Sequence, residues 1–316
     1  MKDHTPLPHE HTLLSCKLGS TAEEQERRME SDDEEASEVH VSPGVPSVFQ
    51  FKVEGFRLFT YTSFWLMCVF AFIVSMTTVK NYLGPCPLQE GDEPTYGMHC
   101  SDLQRTFGFN NICVYWDYSP ARELTAMVYP IFEYSMVAYI IVNYLQIKND
   151  FENQRIGTKI YKPASILLWV KLLFVAWFRM IFVVSVTQEP ISIFGTEIPA
   201  VVGHTLGFFG MQFALILIAF EDIVYIFYKE IPMWPMSVKT TKNMSVLYLV
   251  LLIIVTALKI SWASSIFVSG IPWFVDPWPH ILDRVWLVLA AVMPFLFAIH
   301  GVKNEPPMVI TVLNEE

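Results

Sequence analysis

Three ionisable residues, Glu133, Arg179 and Lys259, stand deep inside otherwise apolar stretches of this chain. A charge in hydrocarbon is costly, at least ~2.5–3.5 kcal/mol for an Arg on insertion scales, so each needs a physical reason to be there. Counting ~1.5 Å of rise per residue from the middle of its stretch, each lies about 4–5 Å from the bilayer midplane, all on the same side. Three helices thus bring one acid and two bases into one layer. Two readings of that layer stand side by side. In the first, Glu133 and Arg179 form a plain buried salt bridge and Lys259 is neutral or wetted. In the second, Lys259 is a spare base, because one carboxylate neutralises one cation. The layer then floors a polar cavity for a small anionic or protonatable substrate. Lys loses its proton in such a place far more readily than Arg.

A second charged layer lies nearer one membrane face. Lys171 sits within a few ångströms in depth of Glu221 and Asp222, and a Lys171–Glu221 pair is expected. Both partners are near enough to a helix end to snorkel, which favours a structural role. His204 and His300 read either as proton handles or as interfacial residues. Asp283 and Arg284 open the last apolar stretch and read as interfacial.

The elements that must carry these residues are six apolar runs, at about 58–79, 124–145, 164–186, 200–228, 244–268 and 281–300. Each matches the roughly 20 residues needed to cross a ~30 Å hydrocarbon core. Only 16% of the chain is charged, against about 25% in soluble domains, and its mean hydropathy is +0.38. The fold class expected is an all-α, six-span membrane bundle over residues 48–303, with the lipid bilayer as its first partner. It is flanked by an acidic tail at 1–47 and a short tail at 304–316. Pro130 and Pro294 interrupt the helical hydrogen-bond ladder within their spans. Gly203, Gly207 and Gly210 give the fourth span small faces for close helix contact. Trp234, Trp273, Trp278, Tyr228 and Tyr61 read as interfacial anchors.

Lys and Arg crowd alternate connectors. Lys148, Arg155, Lys159 and Lys162 follow span two, Lys229, Lys239 and Lys242 follow span four, and Lys52 and Arg57 precede span one. The connectors at 188–199 and 269–280 have none. By the positive-inside rule both termini face the cytosol, in the secretory–endosomal system or the plasma membrane. No cleavable signal is expected, so span one serves as its own anchor.

Cys86, Cys100 and Cys113 share the first outer loop, and a disulfide between two of them is expected in an oxidising lumen, with the pairing open. No CxxC pair accompanies His99, which argues against zinc. The sequon Asn243-Met244-Ser245 abuts span five on the cytosolic side and is expected to be unused. In the tail, 22–38 is too acidic and apolar-poor to order itself. Ser31, before Asp32-Asp33-Glu34-Glu35, suits an acid-directed kinase. Glu10-His11-Thr12-Leu13-Leu14 approximates an acidic dileucine sorting signal, which makes cytosolic sorting or adaptor proteins candidate partners.

No Walker loop, HExxH, paired prenyl-chemistry acids or GxSxG occurs, so no enzyme activity, cofactor or metal is expected. No basic patch suits nucleic acid. Two function classes remain: a transporter or channel-like protein built on the charged layer, and a non-enzymatic membrane organiser or trafficking adaptor. Epitope tags at Met1 and Glu316 test the orientation. Both should be detected only after permeabilisation, and labelling of either tag on intact cells would reverse the topology.

Overall fold

The structure is a computed structural model that describes residues 47–79, 82–83, 98, 101–107, 110–186, 191–193, 196–229, 236–269, 277–304 and 307–312. Ser31, the dileucine-like segment, Cys86 and Cys100 lie outside the described residues. Six helices are long and apolar enough to span a membrane. They are α1 (Val53–Thr78), α3 (Ala121–Glu152), α4 (Thr158–Trp177) continued by the short α5 (Met180–Val183), α6 (Ala200–Lys229), α7 (Val238–Ser269), and α8 (Trp278–Leu287) continued by α9 (Met293–Asn304). The short α2 (Asp102–Phe107) and a 3-10 turn at Ile112–Trp116 lie in the first long connector. A small hairpin, β2 (Ile191–Ile193) with β3 (Thr196–Ile198), links α5 to α6.

Most helices overrun the apolar runs that announce them. A run ends where the hydrocarbon ends, whereas the helical ladder continues until something stops it. So α3 has 32 residues, about 48 Å of helix. It continues through the polar turn at Lys148–Glu152 that the hydropathy of span two leaves out.

Consecutive spans pack as neighbours, and the last returns to the first. α1 packs on α3, α3 on α4, α4 on α6, α6 on α7, α7 on α8, and α9 on α1. Short connectors enforce this order, since a chain leaving one span can most easily descend beside it. "Inner" denotes here the end where α1 begins and α9 stops, following the charge bias. Between α4–α5 and α6 the contact is close. A Cβ at Gly207 would lie 3.0 Å from the Met180 Cβ and 3.1 Å from the Ile181 backbone nitrogen, and one at Gly210 would lie 3.0 Å from Trp177. The backbone approach at Gly207 tolerates no side chain without a shift of α5.

The last span contains a π-helical segment at Val288–Val292, and its cause is readable. The Met293 N–H bonds to the Val288 carbonyl, one residue further back than in an α-helix. Leu289 would then need its donor from residue 294, which is Pro294 and has no N–H. In lipid an orphaned carbonyl costs several kcal/mol, so it must be satisfied from elsewhere. The Tyr248 hydroxyl on α7 donates to the Leu289 carbonyl at 3.0 Å.

Residues 47–52 and 307–312 belong to a separate small unit. In it β1 (Ser47–Phe51) pairs antiparallel with β4 (Met308–Val312), Ser47 opposite Val312 and Phe51 opposite Met308. Residues 308–312, assigned to a plain tail above, are therefore strand. Their β-branched Val-Ile-Thr-Val run carries that preference.

Candidate functional site: ion pairs and cavities within the bundle

Each of four bases within the spans meets an acid. Arg179 Nε lies 2.7 Å from both Glu133 oxygens. Lys171 Nζ bonds Glu221 Oε2, which also accepts from Asn143 Nδ2 at 3.2 Å. Arg57 bridges Glu54, one turn away on α1, at 3.1 Å and Asp222 on α6 at 3.2 Å. Tyr139 of α3 donates to both Asp222 oxygens at 3.0 and 3.1 Å. Lys259 Nζ bonds Asp283 Oδ1 and lies 4.8 Å from the Phe208 ring and 4.4 Å from the Trp286 ring.

These contacts change the sequence reading at several positions. Lys259 is not a spare base. Its acid is Asp283, which belongs to the bundle rather than to the interface. α8 begins at Trp278, so Asp283 stands more than a turn inside the helix and is buried. Arg179 stands at the margin of its helix rather than within it. α4 ends at Trp177, and Arg179 sits at the break before α5 with its side chain 52% exposed. Glu133, by contrast, is buried. Glu221 and Asp222 take different partners, because adjacent helical residues point about 100° apart. Glu221 meets Lys171 of α4 and Asn143 of α3, whereas Asp222 meets Arg57 of α1 and Tyr139 of α3. Arg57, counted above among the cytosolic flanking charges, is buried within α1. Tyr61, read as an interfacial anchor, is 4% exposed.

Cys113 is a free thiol, buried in the 3-10 turn, so the expected disulfide does not include it. Burial pushes its thiol well above the ordinary range, which makes it unreactive. His204 contacts the Val184 carbonyl through Nδ1 at 3.0 Å and lies 3.5 Å from Asp117 Oδ1 through Nε2. It is buried rather than interfacial. No cluster of three or more His, Cys, Asp or Glu suited to a metal occurs among the described residues.

Among the cavities formed by the described residues, three follow one another along α1. The outer one, of about 530 Å³, is lined by α1 residues Trp65, Cys68, Val69 and Phe72, by connector residues including Asn110 and Tyr115, and by Asp283 and Arg284 of α8. The inner one, of about 110 Å³, is lined by Glu54, Arg57, Asn143, Asp222, Ser245 and His300 among others. That is room for several waters, each needing about 10–15 Å³ on this measure. Between them is a space of about 40 Å³ walled by Tyr61, Phe64, Phe132, Met136, Phe208 and Trp286. Along α1 the sequence reads Arg57 inside, Tyr61 and Phe64 in the middle, Trp65 to Phe72 outside. Sequence reasoning missed this zonation because its inner end depends on Arg57 and its outer end on Asp283, both read as flanking charges. The helical spacing of Arg57, Tyr61, Phe64 and Cys68 on one face of α1 was the available signal.

The two pairs of the first layer should respond differently to loss of the acid. Asp283→Asn leaves Lys259 uncompensated among aromatic rings, a loss of roughly 3–5 kcal/mol for a broken buried pair. Glu133→Gln leaves Arg179 half exposed at a helix break, where it can turn to the interface, so about 1 kcal/mol or less is expected. Thermal unfolding in detergent should show a large loss for Asp283→Asn, recovered in the Lys259→Met/Asp283→Leu double variant, and a small loss for Glu133→Gln. Equal losses for the two single variants would show that Arg179 is as sequestered as Lys259.

No protein-family model, curated protein or solved structure matches the chain, so its function is argued from the geometry of the bundle alone.

Proposed function

We propose that this multi-pass membrane protein is a transporter whose substrate is held first in one cavity and then in the other, with the apolar layer between them as its barrier. The observation that carries the reading is the zonation: two cavities whose mainly apolar walls carry charged and polar side chains, at opposite depths, separated by a space with wholly aromatic and aliphatic walls. Such an apolar constriction blocks water and ions when closed. The π-helical segment supports the reading, since Ala290 and Ala291 of that turn line the middle space. Segments of this kind are frequent at functional positions in helices, where a small change in winding moves side chains.

The charged residues take a different part from the one the sequence suggests. With Lys259 paired to Asp283, Glu133 and Arg179 hold helices together, and the substrate role passes to the inner cavity and to the outer face of Asp283. The same full pairing favours a second reading, a membrane organiser that moves nothing, with both termini cytosolic and the tail engaging sorting proteins.

Cysteine accessibility in neutral phosphatidylcholine proteoliposomes separates the two. Under transport, Ser245→Cys should react with a small methanethiosulfonate reagent from the inner face, Phe72→Cys from the outer face, and Met136→Cys from neither. If Ser245→Cys and Phe72→Cys both stay unmodified, the cavities are closed to water and the organiser reading replaces this one. If Met136→Cys reacts as fast as they do, the apolar layer is no barrier.

A further inference from the structure

The outer cavity is a wedge between two helices that part company. α1 packs closely along α9 but has no comparable contact with α8, whose partner is α7. At the inner end the approach is tight, since a Cβ at Gly301 would lie 2.5 Å from the Glu54 side chain. Towards the outer end α1 and α8 diverge, and the cavity of about 530 Å³ opens between them. Val69 lines it and is 55% exposed, so the wedge opens sideways on the flank of the bundle and not only at its end.

Its lining is graded. Taking ~1.5 Å per residue from mid-span, Trp65 lies near the midplane, Val69 and Leu287 about 6 Å outward, Arg284 about 10 Å and His280 about 16 Å outward. That range matches the ~15 Å hydrocarbon half-thickness of one leaflet. The deep end is apolar (Trp65, Val69, Leu287), and the shallow end carries Arg284, His280, Asn110 and Gln104. The charge at the shallow end is asymmetric. Asp283 is committed to Lys259, whereas Arg284 is exposed and has no ion-pair partner among the described residues. A guanidinium at that level matches a phosphate in geometry and charge.

We infer that the wedge between α1 and α8 binds an outer-leaflet phospholipid with an anionic headgroup, its phosphate on Arg284 and its chain along Trp65, Val69 and Leu287. This names the ligand class of the outer cavity and rests on the transport reading only for what happens afterwards. The ligand enters through the side of the bundle, so the cavity needs no opening to the aqueous phase wide enough to pass it.

Photo-crosslinking tests it. The protein is placed in phosphatidylcholine nanodiscs carrying a trace of diazirine-acyl phosphatidylglycerol or diazirine-acyl phosphatidylcholine, and crosslinked residues are mapped by mass spectrometry. The phosphatidylglycerol probe should concentrate on residues 65–72 and 284–287. Arg284→Gln, an exposed change that leaves the fold intact, should lower that yield about fivefold for phosphatidylglycerol, the effect of one cation near an anionic headgroup, and lower it less for phosphatidylcholine, whose choline offsets the charge of its phosphate. Val69→Trp should abolish it for both probes. Crosslinks spread evenly over all the spans would mean ordinary boundary lipid and overturn the inference. Displacement by glycerol 3-phosphate as effectively as by unlabelled phosphatidylglycerol would also overturn it, since the ligand would then be a water-soluble phosphate. A localised crosslink with Ser245→Cys and Phe72→Cys both unmodified would sink the transport reading and leave the lipid site standing; modified Ser245→Cys and Phe72→Cys with evenly spread crosslinks would do the reverse.

Discussion

A charge inside a bilayer must find its counter-charge within the protein, and here it does so mostly on another helix. Arg57 ties α1 to α6, Lys171 ties α4 to α6, Arg179 at the end of α4 reaches α3, and Lys259 ties α7 to α8. Because lipid is as apolar as a leucine side chain, burial of apolar surface does little to choose which helix packs on which. Polar pairs, small-residue contacts and connector length must choose instead. α6 is the hub: its adjacent acids Glu221 and Asp222 point to different neighbours, and its Gly207 and Gly210 admit α5 and α4 at close range.

The cavities follow from the same constraint. Pairs at the inner end hold polar side chains around a small space, and the Lys259–Asp283 pair holds polar groups at the outer end. The middle, where no base or acid is needed for assembly, fills with aromatic rings. Phe208 and Trp286 serve twice, as walls of that layer and as the faces against which the Lys259 ammonium rests. An ammonium over a ring face gains attraction without a second carboxylate. Charge pairing and apolar separation are thus two results of one arrangement.

The spans were legible in the sequence because hydropathy over about 20 residues reports bilayer thickness directly. Depth counting also brought Glu133 towards Arg179 and Lys171 towards Glu221, partners that the structure places in contact. It failed where helix ends decide depth. Arg57 and Asp283 lie next to apolar runs, and composition cannot show that α1 begins at Val53 and α8 at Trp278, which turns both from flanking charges into interior ones. The break after Trp177 that leaves Arg179 exposed was hidden too, since no proline or glycine announces it. The partner of Lys259 was hidden for the same reason as Asp283, and with it the outer cavity. The β1–β4 pairing joins segments more than 250 residues apart, a separation that no local pattern reveals.

The most direct test of the claim that cross-helix charge pairing assembles the bundle is a double-mutant cycle on Lys171 and Glu221, the most fully buried pair, read by unfolding in detergent. The account predicts that Lys171→Met and Glu221→Gln each destabilise strongly, and that the double variant loses less than the sum by at least about 1 kcal/mol, within the usual range for directly interacting residues. Additive losses, with no coupling between the two positions, would contradict it.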